Sequence, residues 1–334
     1  MINIRDVAAA AQVSPATVSR VLNLDRVEYP VRPETRERVL DAIDRLGYRP
    51  NDLARALLHR RTNVVGLIVP DISNPYYAEI AHGVEEVAAG SGYRIVLCNT
   101  NRSAEKTNAY VDTLVKSRVD GVVIAGGNVD SRFSPDLLST YGTKLVLIGR
   151  HELSYPSVQV DNVGAARTAT EYVLELGHRS IAFIGGPFTS HTVQDRLQGY
   201  RAALSDRGIG IEDRLVREGD FQEAGGYAAA QAIFKGGIEA SAVIAINDRT
   251  ALGAMAAVTD LGLRIPDDVS LIGFDDVSIA SFIRPALTTV AIPSFELGRA
   301  AMALLFAEAD AGQARAPQMF QATLVVRRSC APHT

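Results

Sequence analysis

Cysteine is nearly missing from this chain of 334 residues: there are two, Cys98 and Cys330, and no CxxC. Thiols so far apart build neither a disulfide framework nor a thiolate metal cluster, so each is expected to be a buried or inert free thiol. Long apolar runs are missing too. No uninterrupted stretch reaches the roughly 20 residues that cross a bilayer, and Met1-Ile2-Asn3-Ile4-Arg5-Asp6 has neither the basic region nor the apolar stretch of a secretory leader. A cytoplasmic protein without a membrane partner is expected. The six histidines never stand in HxxxH or HExxH spacing, so no metal site is expected. Ser190-His191 beside Gly185-Gly186 has no GxSxG elbow, and FIGGP contains neither GxGxxG nor the GKS or GKT of a phosphate loop. No catalytic residue and no cofactor are expected.

What is present is ordinary globular material, 47% hydrophobic and 22% charged, long enough for two or three domains. The net charge of −4 hides a division. Residues 1–61 hold 11 Arg and no Lys against 8 acidic side chains, a formal +3, which leaves −7 on the remainder. A locally positive segment can neutralise phosphates where an acidic one does not, although +3 alone does not identify a DNA-binding domain.

The first 48 residues predict three helices. Ile4, Val7, Ala8 and Ala11 fall on one apolar face, Gln12-Val13 breaks the pattern, and Ser14-Pro15 offers a cap and a first-turn proline for a second helix to about Leu22. After a charged loop from Asn23 to Val31, Pro33-Glu34 opens a third helix with Val39, Leu40, Ile43 and Leu46 inward, and Gly47 ends it. A further short helix is expected from Arg49-Pro50-Asn51-Asp52 through Leu58, followed by a linker.

From Asn63 the pattern turns to short β-rich runs alternating with amphipathic helices, the form of a parallel sheet covered on both faces. Seven runs begin at Val64, Arg94, Asp120, Lys144, Ser180, Ala242 and Val269. They are too many for one compact unit, so two successive doubly wound α/β subdomains with a ligand cleft between them are expected.

On the second helix Val18, Val21 and Leu22 point to the core, leaving Pro15, Ala16, Ser19 and Arg20 outside. Such short side chains let a helix sink into a major groove, where an arginine can bond guanine O6 and N7. A generic three-helix bundle with a solvated arginine would show the same spacing. In the α/β part, Asp71-Ile72-Ser73-Asn74-Pro75-Tyr76 follows the first strand with a cap, a first-turn proline and an aromatic, and strand ends are where such sheets bind ligands.

These residues carry a specific likeness. DVAAAAQVSPATVSRVLN, then PETRERVLDAIDRLGYRPNDLARAL, resembles the lactose/galactose repressor family, and VGLIVPDISNPYYAEIAHGVEE, DGVVIAGG, VDN, ELGHRSIAFIGGP, DRLQGY, INDRTALGAM, LRIPDDVSLIGFDD and PALTTV continue the match in order. The resemblance implies an all-α helix-turn-helix DNA-binding domain followed by a periplasmic-binding-protein-like α/β core. The divisions would be a helix-turn-helix at 1–48, a hinge helix and linker at 49–61, and an effector-binding and dimerisation core at 62–334. Within the core, one subdomain would take about 62–160 with 292–321, the other about 161–291 with 322–334. The family's members are homodimers that bind a pseudo-palindromic double-stranded operator and alter their DNA affinity when a small effector enters the core. A repressor is the expectation here, and the absence of a leucine-heptad tail after Val325-Val326 favours a dimer over a tetramer.

Carried over position by position, Ser14, Thr17, Ser19 and Asn23 match residues near the DNA backbone, Pro15, Ala16 and Arg20 match base-reading residues, and Arg5 is a weaker addition. Gln12 stands where a turn glycine is frequent, and the loop after Asn23 is about three residues longer than usual. Leu53-Ala54-Arg55-Ala56-Leu57 resembles the hinge helix, in which Ala54 and Leu57 would meet the minor groove and Leu57 would wedge a base step open, the unstacking offset by contacts to kinked DNA. A leucine packed within an ordinary linker is the plainer alternative. Cleft positions fall on Tyr76, Tyr77, Arg150, Ser190, Thr192, Arg196, Phe221, Asn247 and Asp275. Arg196 and Asp275 suit vicinal hydroxyls, and Phe221 suits stacking on a ring, so a sugar or polyol is expected, with Arg150 able to receive a carboxylate or phosphate. Each has a plainer role, as an ion pair or as core. Ser190 stands where a purine-binding relative has a base-contacting arginine, which disfavours a purine.

Three other functions fit parts of the sequence. A free sugar-binding protein has no use for residues 1–60. An enzyme needs a catalytic constellation that the motifs do not supply. Regulation by a phosphoprotein partner, known among relatives, stays open.

Overall fold

The computed structural model describes residues 2–22, 31–49, 61–127, 135–235, 240–307 and 316–333. Asn23, Ala54, Leu57 and the helix expected from Pro50 lie outside them. The chain forms two compact units, Met1–Thr62 and Asn63–Thr334.

The first unit contains three described helices, α1 (Ile4–Ala10), α2 (Pro15–Leu22) and α3 (Pro33–Leu46). Asn3 caps α1 by accepting the Arg5 N–H at 2.8 Å, while Asp6 accepts the Asn3 N–H at 2.8 Å, so two otherwise orphaned donors are satisfied reciprocally. Gln12 then turns the chain with φ 53°, the left-handed conformation that explains why glycine is at home there. Ser14 accepts the Thr17 N–H at 3.2 Å and Pro15 opens α2, while Gly47, at φ 62°, closes α3. Val7, Ala8, Ala11, Val18, Val21, Val39 and Ala42 make the buried core. Leu40, expected inward, is instead 36% exposed. Successive helical residues point about 100° apart, and the buried stripe of α3 runs through Val39, Ala42, Ile43 and Leu46, which carries Leu40 round to solvent.

The second unit alternates strand and helix: β1 (Val64–Val69), α4 (Pro75–Gly90), β2 (Arg94–Asn99), α5 (Ala104–Lys116), β3 (Gly121–Ala125), α6 (Pro135–Tyr141), β4 (Lys144–Ile148), β5 (Ser157–Val160), α7 (Asn162–Glu175), β6 (Ile181–Ile184), α8 (His191–Asp206), β7 (Val216–Arg217), α9 (Glu223–Lys235), β8 (Ala242–Ala245), α10 (Asp248–Asp260), β9 (Ser270–Asp275), α11 (Ile279–Phe282), β10 (Thr288–Ala291), α12 (Ser294–Phe306), β11 (Gln318–Phe320) and β12 (Thr323–Val325). They build two six-stranded sheets, in the orders β11-β5-β4-β3-β1-β2 and β12-β10-β9-β8-β6-β7. All pairings are parallel except β12 against β10. The chain therefore passes between the lobes three times: after β5, between β10 and α12, and between β11 and β12.

The seven expected runs all form strands. The other five, two to four residues each, were too short or too polar to read; β10 begins with Thr288 and Thr289, both fully buried. The first lobe's sheet carries α4 and α12 packed very closely. A Cβ on Gly83 would lie 2.0 Å from the Phe295 carbonyl oxygen, and one on Gly298 would lie 2.2 Å from that of Ile80, so the two backbones touch where only hydrogen fits.

Gly83→Ala should therefore destabilise the core by about 1–3 kcal/mol through overpacking. Gly90→Ala, on the same helix with no atom near its Cβ position, should be neutral or gain up to about 1 kcal/mol from helix propensity. Urea unfolding followed by circular dichroism separates the two; equal effects would contradict the close crossing.

Candidate functional site

The N-terminal turn of α2 is built for presentation. Val18 and Val21 are buried and anchor the helix, while Pro15, Ala16 and Arg20 stand exposed and Thr17 and Ser19 are half-buried. The Ser14 and Thr17 hydroxyls lie 2.9 Å apart and share the work of the cap. This leaves the positive end of the helix dipole beside a small, polar face, a combination suited to phosphate and base edges. Arg5 is exposed on α1.

In the second unit a cavity of about 230 Å³ lies at the carboxyl ends of strands from both sheets, where open α/β sheets place ligands. Ligand pockets usually exceed about 300 Å³, so this one suits a single small ring. All nine expected residues line it: Tyr76, Tyr77, Arg150, Ser190, Thr192, Arg196, Phe221, Asn247 and Asp275.

Their supports differ. Asn74 caps α4 through the Tyr76 N–H at 3.0 Å, and Tyr76 and Tyr77 then meet edge to face at 5.0 Å. Burial raises both phenols above the ordinary tyrosine range, so they stay neutral donors. Asn247 donates to the Phe221 carbonyl at 3.1 Å and accepts the Thr250 N–H at 2.8 Å, capping α10 and holding the 221 loop, where Phe221 takes φ 66°. Arg196, 5% exposed, donates from Nε to Asn162 at 2.9 Å and from Nη1 to the Ile246 carbonyl, with its plane 4.2 Å from the Phe274 ring. Arg150 is committed to Asp195, with Nε at 3.1 Å and Nη2 at 2.7 Å, and its side chain is 44% exposed. Asp275, at φ 102°, has its carboxyl pushed up to about 7 by burial, against the pull of Arg196 and Arg102. Arg196 and Asp275 make no ion pair within 4 Å among the described residues, so both present themselves to the cavity.

The sequence does not single out Asn74, Arg102 or Asn162 as cleft residues, and all three line the cavity, as does His191 beside Ser190. Asn162 was visible in the VDN segment, and Arg102 follows the end of β2 as the other wall residues follow their strands. At the cavity mouth Asp71, after β1, accepts from Gln222 at 2.7 Å and from Arg249 of α10 at 3.0 Å, and Arg249 grips Glu223 at 2.7 Å. A charged bridge thus ties the first lobe to the second.

A model of bacterial regulatory proteins of the lacI family matches residues 3–51, and one of periplasmic binding proteins and the sugar-binding domain of the LacI family matches residues 62–319. The chain belongs to the LacI family. Catabolite control protein A of Priestia megaterium is 36% identical over 309 residues, 91% of each chain, and the transcriptional repressor PurR of Pasteurella multocida is 36% identical over 98% of each. Among solved structures, a lac repressor dimer bound to operator and an anti-inducer superposes with TM-score 0.87 at 27% identity over 99% of each chain. The regulator CelR in complex with cellobiose gives 0.72 at 33% identity, covering 98% of this chain and all of its own. This LacI-family chain is thus a DNA-binding transcriptional regulator with a helix-turn-helix unit and a two-lobed α/β core. Its relatives are regulators rather than enzymes. Among the described residues no helix is long and apolar enough to cross a membrane, and no group of three or more potential metal ligands occurs.

The raised carboxyl of Asp275 makes stability depend on pH. Between its unfolded value near 3.8 and about 7 the native state holds the extra proton, so this group's contribution to stability falls as pH rises through that window. Asp275→Asn should therefore stabilise the core relative to wild type by about 2 kcal/mol more at pH 8 than at pH 5. Paired thermal melts at the two pH values measure it, and a pH-independent difference would show an ordinary carboxylate.

Proposed function

We propose that this regulator is a cytoplasmic homodimeric repressor that reads a pseudo-palindromic operator, its DNA affinity governed by a sugar or polyol bound between the core lobes. The observation that carries the reading is α2: one helix with buried valines, a capped N-terminus and Pro15, Ala16 and Arg20 bare on its outer face. In this reading Pro15, Ala16 and Arg20 contact bases, while Arg5, Ser14, Thr17, Ser19 and Asn23 approach phosphates. Ala54 and Leu57 enter the minor groove as a hinge, as the resemblance implies. Residues 1–48, 49–61 and 62–334 form the reading head, the hinge and the sensing core.

Exposed apolar side chains support pairing of two cores. Val96 and Leu97 stand 44% and 41% exposed on the edge strand β2, and Phe282, on α11, is 72% exposed. Large exposed apolar groups at an unpaired sheet edge favour a covering partner. The effector would act by differential affinity for two lobe arrangements, since a ligand shifts an equilibrium only as far as it prefers one state. Tyr76, Tyr77, Ser190, Thr192, Arg196, Phe221, Asn247 and Asp275 would hold it, with Arg150 at the rim.

Arg20→Ala should weaken operator binding by about 1–3 kcal/mol and relax preference at one base pair of each half-site, and binding by the wild type should fall steeply with salt. Fluorescence anisotropy on operator and scrambled duplexes at several salt concentrations checks both. An unaltered base preference would remove Arg20 from the reading face.

Arg196→Ala should lower effector affinity by about 1–3 kcal/mol, because ligand hydroxyls lose a partner in a buried site. Calorimetric titration with the best ligand from a thermal-shift screen of sugars, polyols and nucleosides measures this. Undiminished affinity, or a purine as the best ligand, would overturn the assignment.

A further inference from the structure

The charges around the cavity do not balance. Three guanidiniums line it, those of Arg102, Arg150 and Arg196, against the single carboxylate of Asp275. Arg150 is neutralised from outside the lining by its two-pronged pairing with Asp195. Arg196 gives its Nε and Nη1 donors to neutral oxygens of Asn162 and Ile246. That leaves Arg102 and Arg196 to share Asp275, which touches neither closely enough for an ion pair and whose burial favours its protonated form.

Arg102 is the less satisfied of the two. It sits past the end of β2 in a left-handed conformation, φ 62°, that a side chain other than glycine adopts at a cost, fixed by its own N–H to the Pro70 carbonyl at 3.1 Å. Its guanidinium lies 4.3 Å over the Phe221 ring and beside the Tyr77 hydroxyl. Its Nε is buried without any acceptor, and no carboxylate pairs with it among the described residues. His191, at the start of α8 and also lining the cavity, likewise has a buried, unpartnered Nδ1. A cation in a confined cleft that is met only by a ring, a phenol and a distant carboxyl is costly unless something brings a closer opposite charge. A planar guanidinium is the side chain that meets carboxylate or phosphate with two parallel bonds.

We propose that the effector is an anionic sugar, a carboxylated or phosphorylated polyol, whose charged group is received by Arg102. The hydroxyls then fall to Asp275, Arg196 and the small donors Ser190 and Thr192, with Phe221 supporting both the ring and the cation. The inference rests on the cleft being the effector site and sharpens the class of ligand it takes.

Calorimetric titration of the full-length protein with three matched panels tests it: neutral hexoses and pentoses, their uronic or aldonic acids, and their phosphates. At least one acid or phosphate should bind ten-fold or more tightly than its neutral parent, and the panel in which it falls names the anion. Arg102→Gln should erase most of that margin while leaving the neutral parent's weak affinity within about two-fold, and Arg102→Lys should keep part of it. Equal affinity of wild type for neutral and anionic members, or a margin untouched in Arg102→Gln, overturns the role of Arg102. Should no member of any panel bind, the sugar-effector reading itself fails, a different outcome from loss of the anion preference.

Discussion

Burying the guanidinium of Arg196 obliges its surroundings to answer it. Removing such a cation from water costs several kcal/mol, and among the described residues no carboxylate touches this one closely enough to repay it alone. The compensation comes from oxygens and a ring that belong to separate parts of the chain: Asn162 at the first lobe crossing, the carbonyl of Ile246 after β8, and Phe274 in β9. Because α8 delivers Arg196 to the place where these meet, one side chain fixes the crossing, the cavity floor and the end of the second sheet together. Asn247 follows directly from Ile246 and holds the 221 loop, so the position of Phe221 depends on the same anchor at one remove.

A second buried polar side chain stiffens the neighbouring strands. Asp248, fully buried, accepts the Thr289 hydroxyl at 2.6 Å and the Val277 N–H at 2.8 Å, and burial with the nearby Asp275 raises its carboxyl well above the usual range. It pins the β9–β10 connection to the start of α10, the helix that also carries Arg249 to the cavity mouth. Floor and mouth are thus held by the two ends of one short segment, Ile246 to Arg249. That arrangement ties several elements of the second lobe together beside the three connections to the first.

How much of this was legible follows from the kind of signal involved. Helix faces and long apolar strands repeat, so α1, α2 and the seven main strands could be read from Val18, Val21 or the VVGLIV run alone. Leu40 was misplaced because an apolar residue beside the stripe looks the same in sequence as one within it. Short strands such as Thr288–Ala291 are stabilised by partners far along the chain and have no period to show. The cleft residues came from family likeness, and their partners did not. That Arg150 is occupied by Asp195, or that Arg102 makes no ion pair among the described residues, depends on side chains brought together across tens of residues.

The bridge of Asp71, Arg249 and Glu223 has a consequence for how the two halves of the molecule respond to their medium. Arg249 and Asp71 are each only 15% exposed, so dissolved ions screen their attraction far less than they screen the charge of an exposed arginine such as Arg20. Ionic strength would then loosen the grip on nucleic acid while hardly disturbing the balance between lobe arrangements. Sensing and grip are in this way placed on separate electrostatic footings, and a cell whose internal salt fluctuates would find the first steady while the second varies.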